Sequence, residues 1–504
     1  MNSTRRKTML TLVSSVSVQI CNVLISLLIP RVIIAIYGSD TNGIISAARQ
    51  FSQYLSLMET SITAATCYRF IEFNKSKNYE KIRSLFFTIG EFYKKVGTII
   101  AGIAIIIALF YAVTSKTMVD ILTVIAIFLL YESIYVLSYR IYYKYNFILF
   151  ADGKQYFIAF GTVVTSLTAA VVNYIMAINR WHIILLAGSG IVIDIIRLEI
   201  IKRKVENDYP YLKTNEKTID NSLLDQKWDS LIMSISDSVK YMIPVLCISI
   251  AYGSSFVSVF SIYQTVMHLG TSIIIMCSNG LLPTLGSRFT ESSENTSEAF
   301  RLFHLVVLLV GSIISVCFFG MIINFISLYI GEGADISYVY PVLAFFLIIN
   351  TWLTMVRAPF DLIIKARGKI RELRDGCLIE IIITVCVSII MCFLGRFEYI
   401  AIGMVLSSLY RIWRMIRYTA DNLKVSKTKS LLMDCFFWLS FTLFFGIISY
   451  WIIPSSNGVF QFAVYAVSIL VMISIIAFII LFVIYRKQIK PFVARISIGK
   501  HNKS

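Results

Sequence analysis

Arg31 and Arg49 stand inside otherwise apolar sequence, on either side of the turn in Leu28-Ile-Pro-Arg-Val-Ile-Ile-Ala-Ile-Tyr-Gly-Ser-Asp-Thr-Asn-Gly43. Arg31 lies seven residues before Gly38 and Arg49 six after Gly43. At about 1.5 Å rise per residue, both sit roughly 10 Å from the turn, on adjacent antiparallel helices. Two guanidinium groups at one depth repel unless an anion lies between them. A pyrophosphate suits that position, because each planar fork binds its oxygens in bidentate fashion. The competing reading is structural: both side chains reach to the nearer interface, or pair with Asp40 or Glu59.

Other polar groups share these apolar surroundings. Lys240 lies about 18 Å from Tyr252 by the same rise, with Asp237 one turn before it to neutralise it or control its protonation. His268 falls at comparable depth, as a proton relay or as a packed, hydrogen-bonded ring. Glu59 and Glu132 are acids that could carry a coupling proton or answer a basic partner. Gln50 and Gln264 could hydrogen-bond a sugar or link helices. Pro30 and Pro244 interrupt apolar runs, giving hinges or static kinks.

Several of these residues recur in register. Ile243-Pro-Val-Leu-Cys-Ile-Ser-Ile-Ala-Tyr-Gly-Ser254 repeats the opening phrase, and Tyr263-Gln264 follows. The offset is 214 at the proline and glutamine and 215 at Tyr-Gly-Ser. The repeat keeps the proline and loses the arginine, since Val245 follows Pro244.

The elements that must position these residues are membrane spans. The chain has 504 residues, 57% apolar and only 15% charged, with a mean hydropathy of +0.77. Apolar runs of about 18 residues or more recur throughout, the mark of a polytopic membrane protein. Fourteen spans are predicted. The first six are Met9–Ile36, Ile44–Phe70, Val96–Val113, Met118–Tyr139, Tyr156–Ala177 and Trp181–Ile201. The next six are Trp228–Ala251, Phe256–Leu285, Phe300–Leu328, Val339–Met355, Cys377–Leu394 and Tyr399–Ile416, the twelfth being the weakest. Leu432–Ile453 and Val459–Tyr485 complete the set. Arg5-Arg6-Lys7 precede a run too long for a signal peptide and without a cleavage site, so that run is the first span.

Charge sets the orientation. With the N-terminus inside, inner loops, tails and inner span ends collect 40 of the 46 Lys and Arg residues. Outer loops hold Lys116, Arg180 and Arg396, and Arg31, Arg49 and Lys240 lie deeper. This asymmetry places both termini in the cytoplasm. The net charge of +17 therefore reflects topology and not nucleic-acid binding. The nine cysteines fall mostly inside spans, without a CxxC pair, and read as packing residues. No metal or cofactor site is indicated beyond proton or sodium coupling.

The resulting expectation is an all-α integral membrane protein of two six-helix lobes, 1–205 and 228–420, in parallel pseudo-repeat. A cytoplasmic linker, 206–227, joins them, and 421–504 adds two helices and a basic tail. Arg357–Arg374 reads as an amphipathic surface helix.

The Pro-Arg of the first span, the Tyr-Gly-Ser turn before the second and the inward N-terminus resemble the polysaccharide transporter family. These are the Wzx-like flippases for O-antigen and capsule repeat units, within the multidrug/oligosaccharidyl-lipid/polysaccharide exporter superfamily. The resemblance implies two bundles around a V-shaped cavity that opens alternately to each side. It also implies a polyprenyl-pyrophosphate oligosaccharide substrate, held by Arg31, Arg49 and Lys240, in the bacterial cytoplasmic membrane. Glycosyltransferases and a glycan polymerase would be partners. The two extra C-terminal helices resemble those of the lipid II flippases. A lipid II flippase or a multidrug exporter of the same superfamily is the nearest alternative, although drug cations would favour an acidic cavity. A membrane glycosyltransferase or polymerase is the alternative from another class, but the outer loops are short and no D-x-D motif occurs.

Overall fold

The first helix, α1 (Ser3–Lys75), has 73 residues. At 1.5 Å per residue it would measure about 110 Å if straight, several bilayers thick. It breaks at Gly38, its one residue outside helical geometry, with φ 86° and ψ 168°. The first two predicted spans are thus one element divided at a glycine. Pro30 lies inside the first half without breaking it.

This computed structural model describes residues 3–213, 219–220, 227–290, 293–366, 374–423, 426–456 and 458–486. Among them are fourteen α-helices and no strand. Span three is α2 (Tyr79–Thr114). Span four is α3 (Ile121–Leu137), and the chain continues past its expected end at Tyr139 through a π-helical turn at Ser138–Tyr142 into α4 (Tyr143–Ala151). Then follow α5 (Gln155–Ile178), α6 (Ile183–Asp208), α7 (Lys227–Ala251), α8 (Ser254–Thr290) and α9 (Ser293–Ile330). The remainder are α10 (Pro341–Ala366), α11 (Arg374–Phe393), α12 (Ala401–Asp421), α13 (Thr428–Ile452) and α14 (Val459–Ile484). Arg357 belongs to α10 itself, so the expected surface helix at Arg357–Arg374 begins inside that span. Its later part lies outside the described residues.

Among the described residues, ten helical segments are long and apolar enough to cross a membrane. Helices α6 and α12 fall outside that set because charges interrupt them: Asp194, Arg197 and Glu199 in one, Arg411, Arg414 and Arg417 in the other. Asn78 and Asp120 accept hydrogen bonds from the amides of Lys81 and Thr123, at 3.0 and 2.8 Å, and so begin α2 and α3.

The chain divides into two compact units, Met1–Ile262 with Gly333–Ile336, and Tyr263–Glu332 with Ser337–Ser504. In the first unit, α1 packs on α3, α5 and α7. Its two Tyr-Gly-Ser turns both place the glycine at positive φ: Gly253 has φ 104°, as Gly38 has φ 86°. Each turn is held by a distant loop. The Ser39 amide donates to Asp335 at 3.1 Å, and the Ser39 hydroxyl also bonds that carboxylate. The Ser254 amide donates to the Lys116 carbonyl at 3.1 Å, while Lys116 Nζ donates to the Ala251 carbonyl at 2.8 Å. Asp40 is occupied by the Thr117 hydroxyl and the Met118 amide, at 2.6 and 2.7 Å. Helices α1 and α8 meet without a gap beside these turns. A Cβ on Gly43 would lie 1.7 Å from the Ser254 carbonyl oxygen, and Asn42 Nδ2 donates to Ser258 Oγ at 2.7 Å.

At the opposite ends of α4 to α6, an ionic cluster closes the same unit. Lys154 Nζ lies 3.1 Å from Asp152 and 3.4 Å from Asp208, and Tyr209 donates to Asp152 at 2.7 Å. Burial pushes the Asp208 carboxyl up, but hydrogen bonds from Lys204 and Lys154 outweigh it and hold the group below its usual range.

In the second unit, α9 carries the two final helices. Arg301 donates to Ser430 at 2.7 Å and to Asp434 at 3.4 Å. Tyr485, just past α14, donates to the other oxygen of Asp434 at 2.9 Å. One carboxylate thus ties α9, α13 and the end of α14 together. Buried His304 stacks on Phe300 behind it.

Two outcomes follow. Gly253→Ala forces a side chain into a left-handed position and against a backbone oxygen 2.8 Å away, and is expected to cost about 1–3 kcal/mol. A control, Gly102→Ala, meets no atom within 4 Å, and thermal unfolding of the two variants in detergent measures the contrast. For Asp208→Asn, the lowered carboxyl means that the stabilisation is present above the ordinary carboxylate pKa and is lost as pH falls through the folded value. The variant should melt earlier at pH 7, by at most about 1 kcal/mol for so accessible a pair. The difference from wild type should shrink as pH falls below the ordinary carboxylate range.

Candidate functional site

Arg49 is half-buried on the second half of α1. Its guanidinium carbon lies 6.0 Å from the centre of the Tyr131 ring of α3, within range of a cation–π attraction. It makes no ion pair among the described residues, and Asp40, one expected partner, is bound to Thr117 and Met118. Arg49 lines a crevice with Tyr131, Asn173 and apolar residues of α1, α5 and α6, enclosing about 10 Å³. That is room for about one water molecule. A headgroup could occupy this position only after the helices separate.

Between α5 and α6 runs a polar seam that the sequence did not single out. Arg197 and Asp194 of α6 pair at 3.0 Å, one turn apart. Arg197 Nη1 donates to Thr162 of α5 at 2.9 Å, and Ser189 donates to Asn173 at 3.0 Å. The pair reads in sequence as the inner end of a span. On α6 (Ile183–Asp208) Asp194 stands eleven residues from the first, about 16 Å along the helix and well inside the bilayer. The i,i+3 spacing of opposite charges was the available signal. Glu132 of α3 is 2% exposed. The Ser52 side chain is within hydrogen-bonding reach of its carboxyl, while Oε2 has no partner among the described residues. It borders a recess of about 630 Å³ that Lys94 and Arg140 also line.

Arg31 is exposed and makes no hydrogen bond or ion pair among the described residues. Lys240 on α7 is 2% exposed, with its ammonium 5.8 Å from the Tyr241 ring centre. Helix α7 groups with the first unit, so Arg31, Arg49 and Lys240 all belong there. Pro244 lies inside α7 as Pro30 lies inside α1. Gln50 is half-buried and Gln264 6% exposed. Each has one buried amide atom without a hydrogen-bond partner among the described residues, Oε1 and Nε2 respectively. His268 is exposed. The side chains of Glu59 and Asp237 lie outside the described residues. Among those described, no group of three His, Cys, Asp or Glu side chains could hold a metal.

The second unit has its own intramembrane charges, also unforeseen. Glu380 of α11, 1% exposed, lies 3.8 Å from Arg357 of α10 and 3.8 Å from Arg411 of α12. Arg357 also donates to Asp361 at 2.9 Å. These acids balance two of the arginines on α10 and α12.

The described residues form an all-helical, multi-span membrane fold with charges paired between helices, and its architecture has known counterparts. The structure of the lipid II flippase MurJ, in an inward closed conformation, superposes with a TM-score of 0.71 over 95% of this chain and 100% of that one, at 10% identity. An inward-facing multidrug-resistance MATE family transporter of the MOP superfamily gives 0.55 over 80% of this chain and 95% of that one, at 14% identity. A eukaryotic MATE transporter gives 0.57, at 11% identity, over 86% of this chain and 99% of that one. No protein-family model and no curated sequence matches. The chain has the fold of these transporters.

The Asp194–Arg197 pair allows a stability test. Asp194→Asn and Arg197→Gln each leave one charge at depth without its partner, and the double variant removes both. In detergent melts the double variant should lie closer to wild type than the two single losses added together, by roughly 0.5–3 kcal/mol.

Proposed function

We propose that this protein is a flippase that carries a polyprenyl-pyrophosphate-linked oligosaccharide from the cytoplasmic to the outer leaflet by alternating access. The observation that carries this reading is the absence of an acidic partner for Arg31 and Arg49 among the described residues. Guanidinium groups at membrane depth are costly unless solvated or paired. A diphosphate between them would supply the missing charge in bidentate form. Lys240, in the same unit, adds a third cation. The fit to the lipid II flippase over 95% of the chain supports a lipid-linked substrate, and also favours lipid II itself as the second reading. A multidrug exporter is less well supported, because a cationic drug would meet unpaired arginines.

In this reading the protein works in the bacterial cytoplasmic membrane with both termini inside, beside glycosyltransferases and a glycan polymerase. Pro30 and Pro244 act as hinges, and Gln50 and Gln264 offer their unpaired amide atoms to sugar hydroxyls. Glu132, with one unpaired oxygen and two cations around its recess, is the leading carrier of a coupling proton or sodium ion. Glu59, Asp237 and His268 are the further candidates.

Arg31→Gln with Arg49→Gln should reduce glycan export in a cell-based flipping assay by at least about tenfold, one decade being the loss of about 1.4 kcal/mol of differential binding. Expression must be matched by immunoblot. Wild-type export from the double variant would sink the proposal. Rescue of cells depleted of their own lipid II flippase would select the second reading over the first.

A further inference from the structure

We infer that the exposed face of α12 is a binding site for an anionic phospholipid, with its phosphate between Arg414 and Arg417 and its acyl chain along Trp413, Leu409 and Leu406. The inference is independent of the transport reading. Arg411, Arg414 and Arg417 recur every three residues, so their side chains step around one side of the helix. They border a crevice of about 350 Å³, with Tyr410, Trp413 and Tyr418 on its walls.

The crevice is built for guanidinium groups. A Cβ on Gly376 of α11 would lie 2.8 Å from Arg411 Nη1 and 3.1 Å from Arg414 Cδ, so Gly376 leaves the space in which both arginines lie against α11. Arg411 is turned inward to Glu380, at 3.8 Å. Arg414 Nη1 donates to the Tyr410 hydroxyl at 3.2 Å, and the Arg417 guanidinium stands 4.9 Å from the Trp413 ring centre. Neither Arg414 nor Arg417 has an ion-pair partner among the described residues. Asp421, on the rim, is exposed and pairs with neither. The aromatic contacts fix the two forks while leaving donors for a phosphate.

The apolar half of the ligand follows from the same helix. Leu406, Leu409 and Trp413 are 43%, 41% and 45% exposed, and their spacing of three and four residues aligns them in one stripe. Continued by Arg417, the stripe runs from aliphatic through aromatic to cationic, the order of a lipid from tail to headgroup. A free phosphate would use the crevice and leave the stripe bare. A neutral lipid would use the stripe and leave the arginines unanswered.

Native mass spectrometry of the full-length protein in detergent, titrated with dioleoyl phosphatidylglycerol or dioleoyl phosphatidylcholine, tests the site. Wild type should retain phosphatidylglycerol in preference to phosphatidylcholine. Arg417→Gln, at an exposed position that does not hold the fold, should weaken that retention about fivefold, and Arg414→Gln with Arg417→Gln about twenty-five-fold. Arg396→Gln, outside the site, should change nothing. Leu409→Gln should weaken both lipids. Equal retention of phosphatidylglycerol by wild type and Arg417→Gln overturns the proposal. So does its displacement by inorganic phosphate at millimolar concentration, which would mark the crevice as a soluble-anion site.

Discussion

A polar group inside a bilayer has no water to fall back on, and this constraint organises the whole protein. Its consequence is clearest at the two Tyr-Gly-Ser turns. Each breaks a helix and frees backbone groups, and each recovers them from a loop far away in sequence. Asp335 serves Ser39, and Lys116 serves Ser254 and Ala251. The glycines make this possible twice over. Positive φ turns the chain, and the missing Cβ leaves space for the Lys116 carbonyl or the Asp335 carboxylate. Without those loops the turns would carry unsatisfied amides at the edge of the hydrocarbon. Ser39, Asn42, Ser254 and Ser258 are at most 1% exposed, so the turns are held by dry hydrogen bonds.

The same constraint explains the attachment of α13 and α14. Lipid tails are as apolar as leucine, so two further helices gain little by hydrophobic burial alone. Asp434 supplies a directional contact, accepting from Arg301 and Tyr485 while Ser430 takes another donor of the same arginine. A carboxylate shared by three helical elements fixes register in a way that aliphatic packing does not. Helix α9 thereby becomes the strut of the second unit, bound to α10 on one side and to the terminal pair on the other.

How much of this was legible in the sequence depended on whether a feature was local. The membrane class, the all-helical fold and the glycine turns follow from runs of residues, and the structure bears them out. The depth of Arg49 follows from counting along a helix. What hid was pairing between helices. Asp194 and Arg197 read as the inner end of a span and Arg411 as the edge of a weak one, because counting basic residues by loop assigns every charge near a terminus to the interface. Their pairing becomes evident only when α5 brings Thr162 to Arg197 and α11 brings Glu380 to buried Arg411. The π-helical turn at Ser138–Tyr142, where span four was expected to end, left no composition signal at all.

The repeated phrase also separates architecture from chemistry. Pro30 and Pro244, Gly38 and Gly253, Ser39 and Ser254 keep the same backbone roles at both sites, because any helix that reverses at a membrane surface faces the same geometric problem. The arginine of the first phrase has no counterpart, for a charge is not needed to make the turn. It costs several kcal/mol at depth unless something answers it. Arg31, Arg49 and Lys240 fall together in the unit built on α1 and α7, whereas the arginines of α10 and α12 are partly balanced by Glu380 and Asp361. Arg31 and Arg49, which make no ion pair among the described residues, both lie on the helix that breaks at Gly38.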